Sequence, residues 1–280
     1  MPAPDYQHEL DIATEAARTA GAHILKHVGQ ANDVREKGIH DLVTEVDEAA
    51  QRIILDILNS AFPDYDTLAE EDTSAADLRA TRAHADRPRW IIDPVDGTTN
   101  FTHGVPPFCV SIALQDGPDL VLGVVYELSA DELFAAVRGR GLTLNGAPVG
   151  VSETEALADS LVTTGFPFRE YWYIDAYLAT IKQFMLSTRG IRRPGSAAAD
   201  LAYVACGRFD VFFEAGLAPW DVAAGIVLVR EGGGRVTALV EDIEPLFSGQ
   251  LAATNGRLHS TVLGMTESLG RAHRENGTVK

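Results

Sequence analysis

The stretch "WIIDPVDGTTNF", residues 90–101, decides the reading of this chain. A hydrophobic strand pattern, "RWIID" at 89–93, runs directly into two aspartates three residues apart, then into a glycine, two threonines and an asparagine. Pro94 disfavours helical geometry at Asp93, fixes its own φ and withholds a donor. Gly97 permits a sharp turn or the close approach of a ligand, and Thr98 and Thr99 offer hydroxyls where a helix can begin. Two carboxylates held close at neutral pH repel unless a cation or a shared proton compensates. Magnesium is the hard divalent ion best matched to oxygen ligands. The turn therefore reads as a metal cradle, against the plainer alternative of a surface Asx turn with an N-cap.

Working outward, residues 8–28 place apolar groups at helical spacing, from Leu10 to Leu25. A loop from Gly29 leads to Thr44–Asp47, which mark the start of a second helix, "DEAAQRIILDILNSAF", closed by Phe62 and Pro63. "TLAEED" at 67–72 is short and polar beyond Leu68, and 73–89 is a mixed-charge excursion with no assigned role. After "RWIID", the runs at 108–116, 120–128 and 132–139, separated by turns, suit an antiparallel meander. "GRGLTLNGAPV" adds a turn and a short edge strand. Beyond Ser152 strands alternate with helices: strands at 160–166, 189–196, 209–215, 235–239 and 250–256, helices at 171–187, 197–207, 219–233 and from His259. The pattern is α+β, with a soft boundary separating 1–150 from 151–280 inside what reads as one catalytic unit.

Length and composition are those of a globular chain that needs no staples: 280 residues, 46% hydrophobic and 22% charged. The formal charge of -17 argues against a nucleic-acid groove or an anionic membrane surface, although metal ions among the acids would admit phosphorylated ligands. Two cysteines, Cys109 and Cys206, give no disulfide framework. With no secretory signal and no run of roughly 20 apolar residues, the expectation is a cytoplasmic protein without membrane contact.

Glu70 and Glu71 follow Leu68, and Asp221 sits in "APWDVAAG" before an apolar helical run, where N-capping is the simple explanation. What favours function is that three separate segments each bring an acid beside a hydrophobic element or tight turn. These residues resemble a known family. "DPVDGTTNFTH" at 93–103, "PWDVAAG" at 219–225, "DLVTEVD" at 41–47, "EE" at 70–71 and "GSAAADLAYVACGRFD" at 195–210 are similar, in this order, to motifs of the inositol monophosphatase family, over roughly residues 10–260.

The resemblance implies a layered αβαβα sandwich of the inositol monophosphatase / fructose-1,6-bisphosphatase fold, and a magnesium-dependent, lithium-sensitive phosphatase that forms homodimers. It implies two to three Mg2+ ions per site. Glu70, Asp93 and the Val95 carbonyl would hold the first, and Asp93, Asp96 and Asp221 the second. A third would sit near Glu70. Asp47 and Thr98 would order the nucleophilic water together with Glu70. The N–H groups of Gly97 and Thr98, with Asp96 beside them, would meet the phosphate. Ala197, Glu214 and Asp221 would face the substrate's hydroxyl groups. Two departures stand out: Ala69 replaces a frequent glycine, and Val211 and Phe213 stand where glycine and tryptophan are common.

The implied reaction is hydrolysis of a small phosphorylated polyol, with inositol 1-phosphate favoured by the "NFTH" continuation. Histidinol phosphate is the alternative, since Glu214 can pair with an amine, and other sugar or nucleotide phosphates belong to the wider group. An inactive regulatory homologue is the non-enzyme alternative, and every acidic ligand position is filled against it. Cys109 reads as a buried structural thiol and His103 as structural or as support for the metal ligands. Lys37 and the run "RGIRR" at 189–193 are open between solvated surface and a phosphate-facing cation.

Overall fold

Each of the first two helices buries one face, as the 3.6-residue recurrence requires. α1 (Gln7–Leu25) buries Ala13, Ala16, Ala17, Ala20 and Ile24; α2 (Glu45–Ala61) buries Val46, Ala50, Ile54 and Leu58. A capping box starts α2: the Thr44 hydroxyl accepts from the N–H of Val46, and the Asp47 carboxylate accepts from the Thr44 N–H at 3.0 Å. This is a computed structural model, and it describes residues 5–29, 34–38, 41–74, 77–78, 87–167, 170–240 and 243–277.

The two helices cover one face of a seven-stranded sheet ordered β3-β4-β5-β6-β7-β8-β9. Its strands are β3 (Asp66–Ala69), β4 (Arg89–Asp96), β5 (Cys109–Asp116), β6 (Asp119–Glu127), β7 (Glu132–Val137), β8 (Leu142–Leu144) and β9 (Ala147–Val149). β3 runs parallel to β4, and the rest is the expected antiparallel meander, ending in a short hairpin rather than a single edge strand. A second, five-stranded sheet is ordered β11-β10-β12-β14-β13. It comprises β10 (Leu161–Thr164), β11 (Gly190–Arg192), β12 (Val211–Ala215), β13 (Arg235–Thr237) and β14 (Gln250–Thr254). A short helix, α3 (Thr98–His103), follows β4, and α4 (Ile174–Ser187), α5 (Ala197–Ala205), α6 (Pro219–Glu231) and α7 (His259–Gly277) complete the chain.

Strand alternation sorts these into five layers. On β4, Trp90 and Ile92 pack toward α1 and α2, whereas Ile91 packs toward α5 and α6. On β12, Phe212 joins that same middle core, whereas Val211 and Phe213 pack with Tyr177 and Phe184 of α4 and Val262 of α7. The αβαβα sandwich follows, with α5 and α6 between the sheets. α6 is apolar all round, and Trp220, Val222, Ala223, Ile226 and Val229 are all buried, as a helix enclosed on every side requires.

The expected loop after Gly29 is corrected in part: β1 (Val34–Gly38) pairs antiparallel with β2 (Asp41–Thr44). Backbone pairing forms that ribbon, and its charged sequence carries no apolar alternation to announce it. Residues 75–76 and 79–86 of the mixed-charge excursion lie outside the described residues.

Two predictions test this packing. A Cβ on Gly123 of β6 would lie 2.6 Å from the Ala224 carbonyl oxygen on α6. Gly123→Val is expected to cost about 1–3 kcal/mol, read as a lowered Tm at about 2–4 °C per kcal/mol.

His259 is fully buried, its Nδ1 facing the Thr254 hydroxyl at 3.1 Å and its Nε2 the Thr237 hydroxyl at 3.0 Å. Thr237 already donates to the Ala238 carbonyl and Thr254 already accepts from the Gly256 N–H. Thr237 directs its proton at Ala238, so Nε2–H donates to Thr237; burial keeps the ring neutral, so Nδ1 accepts from the Thr254 hydroxyl. Burial, with Arg235 adding, pushes its pKa down to about 4. The stability this contributes is complete above the unfolded value of about 6.5 and is lost as pH falls toward 4, on the order of 3 kcal/mol. Urea unfolding of H259Q should show a flatter decline across that window than wild type.

Candidate active site

Asp93 and Asp96 lie at the C-terminal end of β4, where Asp93 pairs with Ser111 of β5 and Asp96 with Cys109. Three steps along β4 thus match two along β5. This is a bulge at Pro94, which has no N–H for the ladder. In an unbroken strand, side chains three residues apart face opposite sides. The extra residue turns both carboxylates into one cleft of about 300 Å³.

Each acid is held by its neighbours. Asp93 Oδ1 accepts from the Val95 N–H at 3.0 Å, and Asp96 Oδ2 accepts from Ser196 Oγ and the Ala198 N–H, both at 2.6 Å. Ser196 also caps α5 by accepting from the Ala199 N–H. Burial, then the charges of Glu70 and Asp96, hold the Asp93 carboxyl well above the usual carboxylate range. Burial pushes Asp96 up to about 6, against the pull of its hydrogen bonds from Ser196 and Ala198.

Glu70 enters the cleft from the turn after β3, a turn fixed where Gln51 Oε1 accepts from the Glu71 N–H at 2.9 Å. Asp221 does both things its sequence allowed. Its Oδ2 accepts from the Ala218 N–H at 2.8 Å, closing the first turn of α6, and the residue lines the cleft.

Gly97 has φ 95°, and a Cβ there would lie 3.1 Å from the Pro107 oxygen and 3.3 Å from the Gly195 oxygen. Only glycine fits that corner without strain. Thr98 then begins α3 with its Oγ1 3.0 Å from both Asp47 Oδ1 and the Val95 oxygen, so its single proton is shared between two acceptors. Asp47 stands behind Thr98, outside the cleft lining, and burial raises its pKa against the hydrogen bonds it accepts.

Ala197 and Glu214 also line the cleft. Burial and the charge of Asp221 push Glu214 up to about 8, while Arg193 pulls it down. Among the described residues lining the cleft Arg193 is the only basic side chain, against the acids Glu70, Asp93, Asp96, Asp200, Glu214 and Asp221. Its guanidinium lies over the Phe166 ring, 5.6 Å from the centroid. Of the "RGIRR" run, Arg193 faces the cleft, whereas Arg189 pairs with exposed Asp159.

Three contributors carry no signal of their own in the sequence. Ser196 holds Asp96; Asp200 lines the cleft; Asn100 donates through Nδ2 to the oxygens of both Pro107 and Pro194 at 2.8 Å, tying the turn to the loop before α5. His103 is exposed at the end of α3 and does not line the cleft. Cys109 is fully buried and burial pushes its thiol pKa up, away from nucleophilic use. The side chain of Lys37 lies outside the described residues.

Among the described residues no three His, Cys, Asp or Glu side chains form a ready metal cage. The donors are gathered in one cleft without being closed into a shell. They are all hard oxygens, buried or half-buried, and mutually repulsive, a set that suits a hard divalent cation. No helix of the described residues is long and apolar enough to cross a membrane.

Comparisons with known proteins identify the family. The profile of the Inositol monophosphatase family matches residues 5–271. The chain is 46% identical to the "Inositol-1-monophosphatase" of Synechocystis sp., over 91% of this chain and 87% of that protein. It is 42% identical to "Nus factor SuhB" of Pseudomonas aeruginosa, over 92% and 95%. The solved IMPase of Thermotoga maritima superposes with a TM-score of 0.84 at 35% identity, covering 95% of this chain and 99% of that one. With its acids converging on one cleft of the shared sandwich, the chain belongs to the inositol monophosphatase family and is a phosphoric monoester hydrolase.

Proposed function

We propose that the protein hydrolyses inositol 1-phosphate to inositol and phosphate in a magnesium-dependent reaction. The observation that carries this reading is the bulge at Pro94, which turns Asp93 and Asp96 together into a cleft that Glu214 also lines. Similarity to a protein named inositol-1-monophosphatase supports the choice of substrate. Histidinol phosphate is the second reading, favoured by the acid-rich wall at Glu214 and Asp200, which suits an ammonium group as well as hydroxyls.

Glu70, Asp93 and the Val95 carbonyl are assigned to one ion; Asp93, Asp96 and Asp221 to a second; Glu70 also to a weaker third. Bound there, magnesium would neutralise the phosphate oxygens, acidify a water and stabilise the leaving oxygen. The remaining work falls to the chain. Glu70 and Thr98 orient the attacking water, and Asp47 keeps the Thr98 hydroxyl in place. The N–H groups of Gly97 and Thr98 receive phosphate oxygens beside Asp96. Ala197, Glu214 and Asp221 seat the alcohol.

The halves 1–150 and 151–280 are taken as one catalytic unit, since acids from both line the cleft. Free thiols at Cys109 and Cys206 suit a reducing, cytoplasmic setting. A homodimer is supported by the exposed apolar residues Leu178, Met185 and Leu186 on α4, a surface large side chains seldom leave to water without a partner. Lithium sensitivity follows the family assignment.

The test is phosphate release with purified protein, with and without magnesium, on inositol 1-phosphate, histidinol phosphate and fructose 1,6-bisphosphate. Chelation with EDTA should abolish activity and added magnesium restore it. D96N is expected to lose at least about 100-fold in kcat, and T98A about 10–100-fold, with unchanged thermal melts. Preference for histidinol phosphate would overturn the substrate and keep the chemistry. Silence on every substrate from folded, magnesium-loaded protein would sink the proposal.

A further inference from the structure

Beside Glu214 the cleft holds a second acid to which the proposed reaction gives no task. Asp200, in the first turn of α5, is 1% exposed; its Oδ1 makes no well-aligned hydrogen bond, and the one group placed to donate to this carboxyl is the Thr163 hydroxyl, itself otherwise unpartnered. Leaving a buried polar oxygen unsatisfied costs about 1–3 kcal/mol, so a group that persists there invites a reason.

The fold brings the two acids together. Phe213 points toward α4, so its neighbours Phe212 and Glu214 point toward α5. Thr164 reaches Tyr177 of α4, so Thr163, paired with Phe212, also faces α5. Asp200 comes from that helix, and the largest charge bearing on it is Glu214. Both acids line the cleft with Arg193. The Glu214 carboxylate sits in the space that Gly165 leaves open, where a Cβ would lie 2.0 Å from its Oε1.

Asp200 and Glu214 face one guanidinium, with the charges of Asp96 and Asp221 also bearing on them, and this leaves a surplus negative charge in a buried corner. Burial favours the protonated form of each acid, against the Thr163 hydroxyl and Arg193 at Asp200 and against Arg193 and the Gly165 N–H at Glu214, and one proton held between the two acids lowers the charge of the corner. A carboxylic acid is a donor as well as an acceptor. We infer that Asp200 is a positioning residue for Glu214: as a neutral acid it donates a hydrogen bond to the Glu214 carboxylate and keeps that group aimed at the substrate's hydroxyls. This rests on the assignment of Glu214 to those hydroxyls.

The experiment compares inositol 1-phosphate with phenyl phosphate, which has no hydroxyl for Glu214 to meet. D200N retains a donor, so its KM for inositol 1-phosphate should stay within about twofold of wild type. D200A should raise that KM about tenfold, the worth of one hydrogen bond, with phenyl phosphate kinetics altered less than about twofold. In an E214A background D200A should add nothing, because it acts through Glu214. Equal effects on both substrates, damage by D200N as large as by D200A, or additive effects in the double variant would overturn the inference. If D200A does not fold, judged by its thermal melt, the near-isosteric D200L carries the same comparison. Wild-type protein that releases phosphate from neither substrate sinks the hydrolase reading; calorimetric titration of inositol 1-phosphate into wild type and D200A then decides the inference, and equal or absent binding overturns it.

Discussion

Like charges gathered in a buried place repel, and the site here depends on how the backbone bears that repulsion. Water cannot screen Asp93, which is 2% exposed. The chain answers with directed N–H and O–H groups: the Val95 amide for Asp93, Ser196 and the Ala198 amide for Asp96, the Ala218 amide for Asp221. The donors for Asp96 and Asp221 sit in the first turns of α5 and α6, where unsatisfied N–H groups and the positive end of the helix dipole are available. The sandwich is therefore arranged so that its two middle helices begin at the cleft.

The same economy explains why capping and chemistry coincide. Asp47 closes the first turn of α2 and also receives the Thr98 hydroxyl; Asp221 closes the first turn of α6 and also lines the cleft. A carboxylate has two oxygens and several lone pairs. One oxygen secures a helix while the other remains for a neighbour or ligand, so the rigidity of the site is borrowed from secondary structure.

Much of this was legible along the chain. The acids of the Asp93–Asp96 turn, Glu70 and Asp221 lie within short motifs whose chemistry is local, and the strand and helix periods gave the elements that carry them. Three things were not legible. The bulge depends on register against β5, and no single strand contains that information. Asp200, Arg193 and Ser196 become neighbours of the acids only when α5 is laid between two sheets. The sequences of β1 and β2 show no apolar alternation, so their pairing left no periodic trace.

α6 packs on β4, β5, β6 and β7 of one sheet and on β13 and β14 of the other. Enclosed on both sides, it has no polar stripe to offer water. A fragment ending near residue 150 would lack this helix and present the bare inner face of its sheet, with Ile91, Val125 and Phe134 uncovered. Such a face is an adhesive surface. During synthesis the N-terminal half emerges first and waits for Pro219–Glu231, so the interval before the central helix arrives is when the chain is most open to aggregation and most in need of a chaperone.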